Sequence, residues 1–260
     1  MRVEGKVVVV TGGASGIGKA LCERFASEGA AAVVVSDINA AGARQVAEKL
    51  SSRTRTMAVE TDVSREDSVS SLVEETVAAY GHIDLFCSNA GIFLPGGETV
   101  ATEDWLRIWN INVMAHIHAA RAVLPHMLSR GEGYLLNTAS AAGLLSQIGS
   151  APYAVTKHAA IGFAEWISIT YGNRGIKTSV LCPQAVDTAM IGGVQSGGVA
   201  GVDGVLGPEV LAQAVIETLD KEEFLCLPHP QVRTYMQRKA ADYDRWLTGM
   251  SRLNEDFGRS

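Results

Sequence analysis

Lys6-Val7-Val8-Val9-Val10-Thr11-Gly12-Gly13-Ala14-Ser15-Gly16-Ile17-Gly18 holds the chain's first regular element and governs how the rest is read. Four consecutive valines do not alternate apolar with polar. They read as a strand over 6–11 covered on both faces, the mark of a parallel sheet in an α/β fold. Gly12, Gly16 and Gly18 then fall at Gly-x-x-x-Gly-x-Gly spacing, between that strand and a helix predicted over 16–28. About 0.3 such triplets are expected by chance at this glycine content, so position decides the matter. Free backbone N–H groups and the positive end of a helix dipole suit a pyrophosphate at this point. A tight turn that needs small residues is the competing explanation.

Working outward, apolar β-branched runs alternate with longer helical stretches, which is the pattern of repeated βαβ units. Further strands are predicted over 32–36, 56–60, 83–87, 133–138, 176–182 and 223–227. Helices are predicted over 40–50, 66–80, 102–128, 153–173, 209–219 and 231–250. No repeat, low-complexity tract or interdomain linker interrupts them, so residues 1–260 read as a single α/β domain. Segment 188–207 breaks the rhythm: it is glycine-rich, nearly uncharged and too long for a tight turn. It reads as a substrate lid. Residues 231–253 read as a C-terminal helical extension.

Composition excludes several classes of function. With 47% hydrophobic and 19% charged residues over 260 positions, the chain is globular. A net charge of −6 and a pI near 5.5 give no electrostatic reason to expect nucleic-acid binding. Segment 133–156 is uncharged and long enough to cross a bilayer. It contains Asn137, Ser140, Gln147 and Pro152, however, and reads as buried strand and loop. Met-Arg-Val-Glu-Gly-Lys at the start has no apolar stretch, so a cytoplasmic protein is expected. Cys22, Cys87, Cys182 and Cys226 form no C-x-x-C pair, and three of them lie in predicted strands; reduced core thiols are expected. His116 and His118, two residues apart, face different sides of a helix, so no metal is expected.

Asp37 closes the second strand nineteen residues beyond Gly18. A carboxylate there accepts both ribose hydroxyls of an adenosine and repels a 2′-phosphate. Neither Ile38-Asn39 nor Ser15 offers a cation for that phosphate, so NAD is expected rather than NADP. An N-cap role for Asp37 at the next helix is compatible with this.

Ser140 stands thirteen residues before Tyr153-Ala154-Val155-Thr156-Lys157. If Pro152 opens a helix at Tyr153, the i,i+4 spacing puts phenol and ammonium on one face. A cation about 4 Å from the hydroxyl contributes up to ~4 kcal/mol at an effective dielectric near 20. Lowering a tyrosine pKa by roughly two units takes about 2.7 kcal/mol, so the pair can make an acid/base of tyrosine. A second match, Tyr235 and Lys239, has Glu222 where a serine would stand and Arg233, Gln237 and Arg238 around it. It reads as a solvated helix face.

Together these residues resemble the classical short-chain dehydrogenase/reductase family, over most of the chain to about Leu227. The matches are Thr11-Gly12 with Gly16 and Gly18, Asp62-Val63, Asn89-Ala90-Gly91, Asn112, Ser140, Tyr153, Lys157 and Pro183 through Thr188. The resemblance implies a Rossmann-type, doubly wound, seven-stranded parallel sheet in order 3-2-1-4-5-6-7, with NAD(P) across the strands' carboxyl ends. It implies Tyr153 as general acid/base, Ser140 on the substrate oxygen, Lys157 on tyrosine and nicotinamide ribose, and Asn112 holding a water. Gly12, Ser15, Gly16, Ile17 and Gly18 would cradle the phosphates, with Asp37 and Ile38 at the adenosine ribose. Asp62 and Val63 would meet the adenine, Asn89, Ala90 and Gly91 the adenine-side ribose region, and Pro183, Val186 and Thr188 the nicotinamide. A dimer or tetramer of identical chains is also implied. Two departures stand out: Ser88 replaces the first Asn of Asn-Asn-Ala-Gly, and Gln184 replaces the Gly of Pro-Gly. The usual Asp-Gly-Gly ending is absent too, and Leu227-Pro228-His229-Pro230 leads instead into the charged extension.

The expected function is an NAD-dependent oxidoreductase interconverting hydroxyl and carbonyl on a lipophilic small molecule. Its substrate walls would be Ile92-Phe93-Leu94, 141–148 and 190–206, all apolar and poor in cations. Within the class, a 3-oxoacyl-thioester reductase competes, since Arg174 matches and Arg130 nearly matches its basic docking residues. A sugar epimerase would need a larger C-terminal domain. From another class, a catalytically silent NAD-binding sensor or scaffold competes, although such relatives commonly lose the tyrosine or lysine.

Overall fold

The computed structural model describes residues 1–191 and 198–257. Seven strands form one parallel sheet in the order β3-β2-β1-β4-β5-β6-β7, as the sequence predicts. They are β1 (Val7–Thr11), β2 (Ala32–Asp37), β3 (Arg55–Glu60), β4 (Leu85–Ser88), β5 (Gly133–Thr138), β6 (Ile176–Leu181) and β7 (Leu225–Cys226). The strand period of two splits the valine run between two cores. Val8 and Val10 pack with Val33 and Val35 against α1 (Gly16–Ser27), α2 (Ala40–Leu50) and α7 (Pro208–Lys221). Val9 and Val34 point the other way, towards α3 (Glu66–Tyr80), α5 (Ala115–Arg130) and α6 (Ala151–Tyr171).

β1 pairs with β2 on one side and β4 on the other, so the chain's winding reverses between β1 and β4. The crevice at that reversal, outside the carboxyl ends, is where open α/β sheets bind ligands. Asn89 stitches it together. Its N–H donates to Thr11 Oγ1 at 3.0 Å, its Nδ2 to the Thr11 carbonyl at 3.1 Å, and its Oδ1 accepts from Thr138 Oγ1 at 3.0 Å. One side chain thus ties the ends of β1, β4 and β5.

Three predicted helices differ in detail. The stretch over 102–128 is α4 (Thr102–Trp109), a π-turn at Asn110–Met114 and then α5. The wide turn carries Asn112, whose amide bonds Ile92, in the chain after β4, through both its oxygen and its nitrogen, and also donates to Thr156 Oγ1 on α6. The helix of Tyr153 begins two residues early: Ser150 caps it by accepting the Tyr153 N–H at 3.2 Å, with Pro152 in the first turn. The C-terminal extension breaks at Asp242, which is extended and caps Arg245 N at 3.0 Å, so α8 (Gln231–Ala241) and α9 (Tyr243–Phe257) are separate. Of the lid over 188–207, residues 192–197 lie outside the described residues. Among those described, no helix is long and apolar enough to cross a membrane.

At the opposite, amino-terminal end of the central strands, the buried carboxylate of Asp84 accepts from Val7 N at 2.9 Å and Arg130 Nη2 at 2.7 Å. Burial pushes its pKa up, but the Val7 N–H, Arg130, His82 and Lys6 together hold it below the ordinary value. Removing one partner from a buried pair costs about 3–5 kcal/mol. Asp84→Ala should lose stability on that scale in urea melts at pH 7. A depressed carboxylate contributes its stability above the unfolded-state pKa and loses it as pH falls through the folded one. The gap between wild type and Asp84→Ala should therefore close in acid.

Candidate active site

Turns before helices supply the site's floor. Gly12 and Gly16 have φ of +67° and +49°, which ordinary side chains adopt at a cost. A β-carbon on Gly18 would stand 2.0 Å from the Gly12 carbonyl oxygen, so the loop's closure excludes any larger residue. The α1 N-terminus points from this loop into a cavity of about 670 Å³. Gly12, Ser15, Gly16, Ile17 and Gly18 line it, as do Asp37 and Ile38 at one end and Asp62, Val63, Asn89, Ala90 and Gly91 along the middle. Ser140, Tyr153, Lys157, Pro183, Val186 and Thr188 line the far end. Asn112 stands one layer behind, buried.

The cradle fits a dinucleotide on the chemistry of its groups. Asp37 is fixed by accepting from Ala14 N at 3.0 Å and Asn39 N at 2.9 Å, one bond to each oxygen. A second lone pair on each remains for ribose hydroxyls. Asp62 is held by Ser64, whose N–H and hydroxyl both donate to its Oδ1.

Lys157 lies buried beneath Tyr153. Its Nζ donates to the Thr138 carbonyl at 3.0 Å and stands 5.5 Å from the Tyr153 ring centre. A β-carbon on Gly91 would sit 3.2 Å from Asn112 Oδ1 and 3.4 Å from Lys157 Nζ, so glycine lets those two groups converge. Ser140 Oγ accepts from Ala142 N at 3.1 Å and donates weakly to the Pro183 carbonyl at 3.3 Å. Phe93 meets the Tyr153 ring edge-on, centres 5.2 Å apart.

The electrostatics correct one expectation. Burial pushes the Tyr153 phenol above its ordinary value, although the Ser140 hydroxyl opposes this. The same burial brings Lys157 down to about 8. In the protein alone, desolvation is the largest influence on both groups, and it is Lys157 that is brought towards neutrality. Behind them His116 Nδ1 donates to Asn137 Oδ1 (3.0 Å), and burial plus the Lys157 charge take it down to about 3.

Other residues of the site were not singled out from sequence. Thr138 offers both its carbonyl to Lys157 and its hydroxyl to Asn89, and only its position at a strand end could have signalled this. Tyr235 and Lys239 are half-buried and bonded to Asp203 and the Leu144 carbonyl, not a solvated face, because α8 packs on the 141–145 turn. Among the described residues, no three His, Cys, Asp or Glu side chains are placed to hold a metal ion.

Residues 6–197 match the model of the short chain dehydrogenase family, covering all of the site but the C-terminal helices. The chain belongs to the short-chain dehydrogenase family. It is 34% identical over 253 residues to 1-deoxy-11-beta-hydroxypentalenate dehydrogenase of Streptomyces exfoliatus, covering 95% of this chain and 92% of that protein. Among solved structures, a short-chain dehydrogenase/reductase from Burkholderia phymatum in complex with NAD aligns with a TM-score of 0.86 at 27% identity, over 94% of this chain and 96% of that one. A 3-ketoacyl-(acyl-carrier-protein) reductase from Brucella melitensis complexed with NADH aligns with a TM-score of 0.79 at 29% identity, over 86% and 96%.

Lys157 gives a pH test. Its folded pKa is depressed, so the buried charge destabilises the fold fully below about pH 8, and this cost fades as pH rises towards 10.5. Lys157→Met should therefore be more stable relative to wild type at pH 7 than at pH 10, by up to roughly 3 kcal/mol. Denaturant melts at both values check this.

Proposed function

We propose that this short-chain dehydrogenase is an NAD-dependent oxidoreductase that interconverts a hydroxyl and a carbonyl on a lipophilic small molecule. One observation carries the reading: the glycine cradle, Asp37 and the Ser140–Tyr153–Lys157 group line a single cavity. When bound, the nicotinamide accepts or gives the hydride. The chain's own residues do the rest. Tyr153 takes the hydroxyl proton in oxidation and returns it in reduction. Ser140 turns its hydroxyl from the Pro183 carbonyl to the substrate oxygen, a weak bond to give up. Lys157, with Asn112 beside it at Gly91, passes charge and proton between the phenol and solvent.

Ile92, Phe93, Ile111 and Met190 make the substrate end apolar, and Lys157 is the one cation among the described lining residues. That favours a lipophilic alcohol or ketone over a phosphorylated one. The name of the Streptomyces exfoliatus relative, a dehydrogenase of a hydroxylated pentalenate, is in keeping with this. An acyl-carrier substrate is less well served. Arg130 is committed to Asp84 and Glu132, and Arg174 lies over the Tyr171 ring at 5.5 Å. We also infer a homo-oligomer: Leu106 and Trp109 of α4 and Val155, Trp166 and Ile169 of α6 are exposed on helices that pack together.

Tyr153→Phe should reduce NADH production from an alcohol panel about 10²–10⁴-fold while NADH still binds. Equal, negligible turnover by wild type and variant would instead support the sensor reading, and preference for a small charged metabolite would sink the lipophilic one. Because the phenol starts above its ordinary pKa, oxidation should accelerate towards alkaline pH.

Asp37 offers a separate test of cofactor choice. Asp37→Ala should raise the Kd for NADH about tenfold or more and narrow its advantage over NADPH, read by fluorescence titration.

A further inference from the structure

The second Tyr-x-x-x-Lys pair of the chain is bonded to two segments that adjoin cavity-lining residues. Tyr235 donates from its hydroxyl to Asp203 Oδ1 at 2.9 Å. Asp203 lies on the described return arm of the lid, 198–206. That arm is laced to the segment at the nicotinamide end: Ala185 N donates to the Ala200 carbonyl at 3.0 Å, Asp187 N to Leu206 at 2.9 Å, and Leu206 N back to Ala185 at 3.1 Å. Val186 and Thr188, which line the cavity, are carried by this same segment. Just before it, Gln184 N donates to His229 Nδ1 at 3.2 Å, in the turn that leads into α8.

On the other side, Lys239 Nζ donates to the Leu144 carbonyl at 2.8 Å. Leu144 belongs to the turn that starts from Ser140, held by Gly143 N to the Ser140 carbonyl at 3.0 Å. Below the two bonds, Val232, Tyr235, Met236 and Trp246 pack on Ala141 and Leu145, so the helix is seated on this turn by apolar contact as well. Burial, then the Asp203 carboxylate, raises the Tyr235 phenol above its ordinary value, which keeps it a donor. One turn of one helix therefore holds the lid arm by Tyr235 and the Ser140 turn by Lys239.

We infer that Tyr235 and Lys239 are positioning residues that brace the two walls of the substrate end, fixing the gap between the lid arm and Ser140. This rests on the oxidoreductase reading for what the gap admits, but the brace itself is readable without turnover. Each bond is a single hydrogen bond between half-buried groups, so its loss should show as a change of about three- to tenfold and not as unfolding.

The experiment is hydrogen exchange on the full chain with NADH, comparing wild type, Tyr235→Phe and Lys239→Met. Tyr235→Phe should speed exchange about three- to tenfold in peptides covering 185–187 and 198–206, and Lys239→Met in 141–145. Strand β1 should stay unchanged in both. On an alcohol that wild type oxidises, KM should rise about three- to tenfold with kcat held within about twofold. Asp203→Asn, which keeps an acceptor oxygen, should behave as wild type, while Asp203→Leu matches Tyr235→Phe and the double variant is no worse than either. Unchanged exchange in the two wall segments overturns the brace. So does faster exchange there with an unchanged KM. A wild type inert towards every alcohol would count against the oxidoreductase reading, and the exchange result would still decide the brace.

Discussion

Burying an ammonium costs free energy, and the cavity's catalytic end is arranged around the one at Lys157. The Thr138 carbonyl at the end of β5 is the hydrogen-bond acceptor the protein gives it. Bringing helix α6 close enough for that bond requires small neighbours. A β-carbon on Gly143 would stand 2.4 Å from the Lys157 carbonyl oxygen, and one on Gly91 would crowd its Nζ. The Ser150 cap fixes where α6 begins, and so which helical face Tyr153 and Lys157 share. Lys157 thus links sheet, turn and helix, and burial there pulls its pKa down.

The phosphate cradle obeys a different constraint, closeness of backbone. Asn89 pulls the ends of β1, β4 and β5 together, and the glycine loop then folds over so tightly that Gly18 meets the Gly12 carbonyl. A β-carbon on Gly16 would come within 3.2 Å of Thr188, so the loop also touches the segment that follows β6. The cradle and this segment are therefore adjacent, although 172 positions separate Gly16 from Thr188 in the chain. A ligand that spans the cavity reports on both.

Much of this is legible in sequence because it is local. A parallel sheet follows from strands alternating with helices, its strand order from the family resemblance, and Tyr153 with Lys157 on one face from an i,i+4 spacing. What escaped is what depends on distant packing. The π-turn at Asn112 cannot be seen in a periodic helical pattern, since one wide turn shifts the phase by a single residue. The Asp242 break hides in a charged stretch whose apolar spacing is weak on both sides. Tyr235 and Lys239 look solvated because their neighbours are charged, while their partners, Asp203 and the Leu144 carbonyl, lie 32 and 95 residues away.

The acidity of Tyr153 is the instructive miss. Reasoning from charge alone, a nearby cation lowers a phenol's pKa. The same closure that brings the cation near also removes water from both groups, and desolvation acts on each. Here it wins, raising Tyr153 and lowering Lys157. The phenol rises above its ordinary value while the ammonium falls to about 8, so the two move apart and a proton leaving the phenol is not cheaply taken up by the lysine. A phenol that starts protonated is ready to give its proton to a carbonyl oxygen, whereas taking one from an alcohol needs added positive charge nearby. The charge of what fills the cradle therefore bears on how readily Tyr153 gives up its proton.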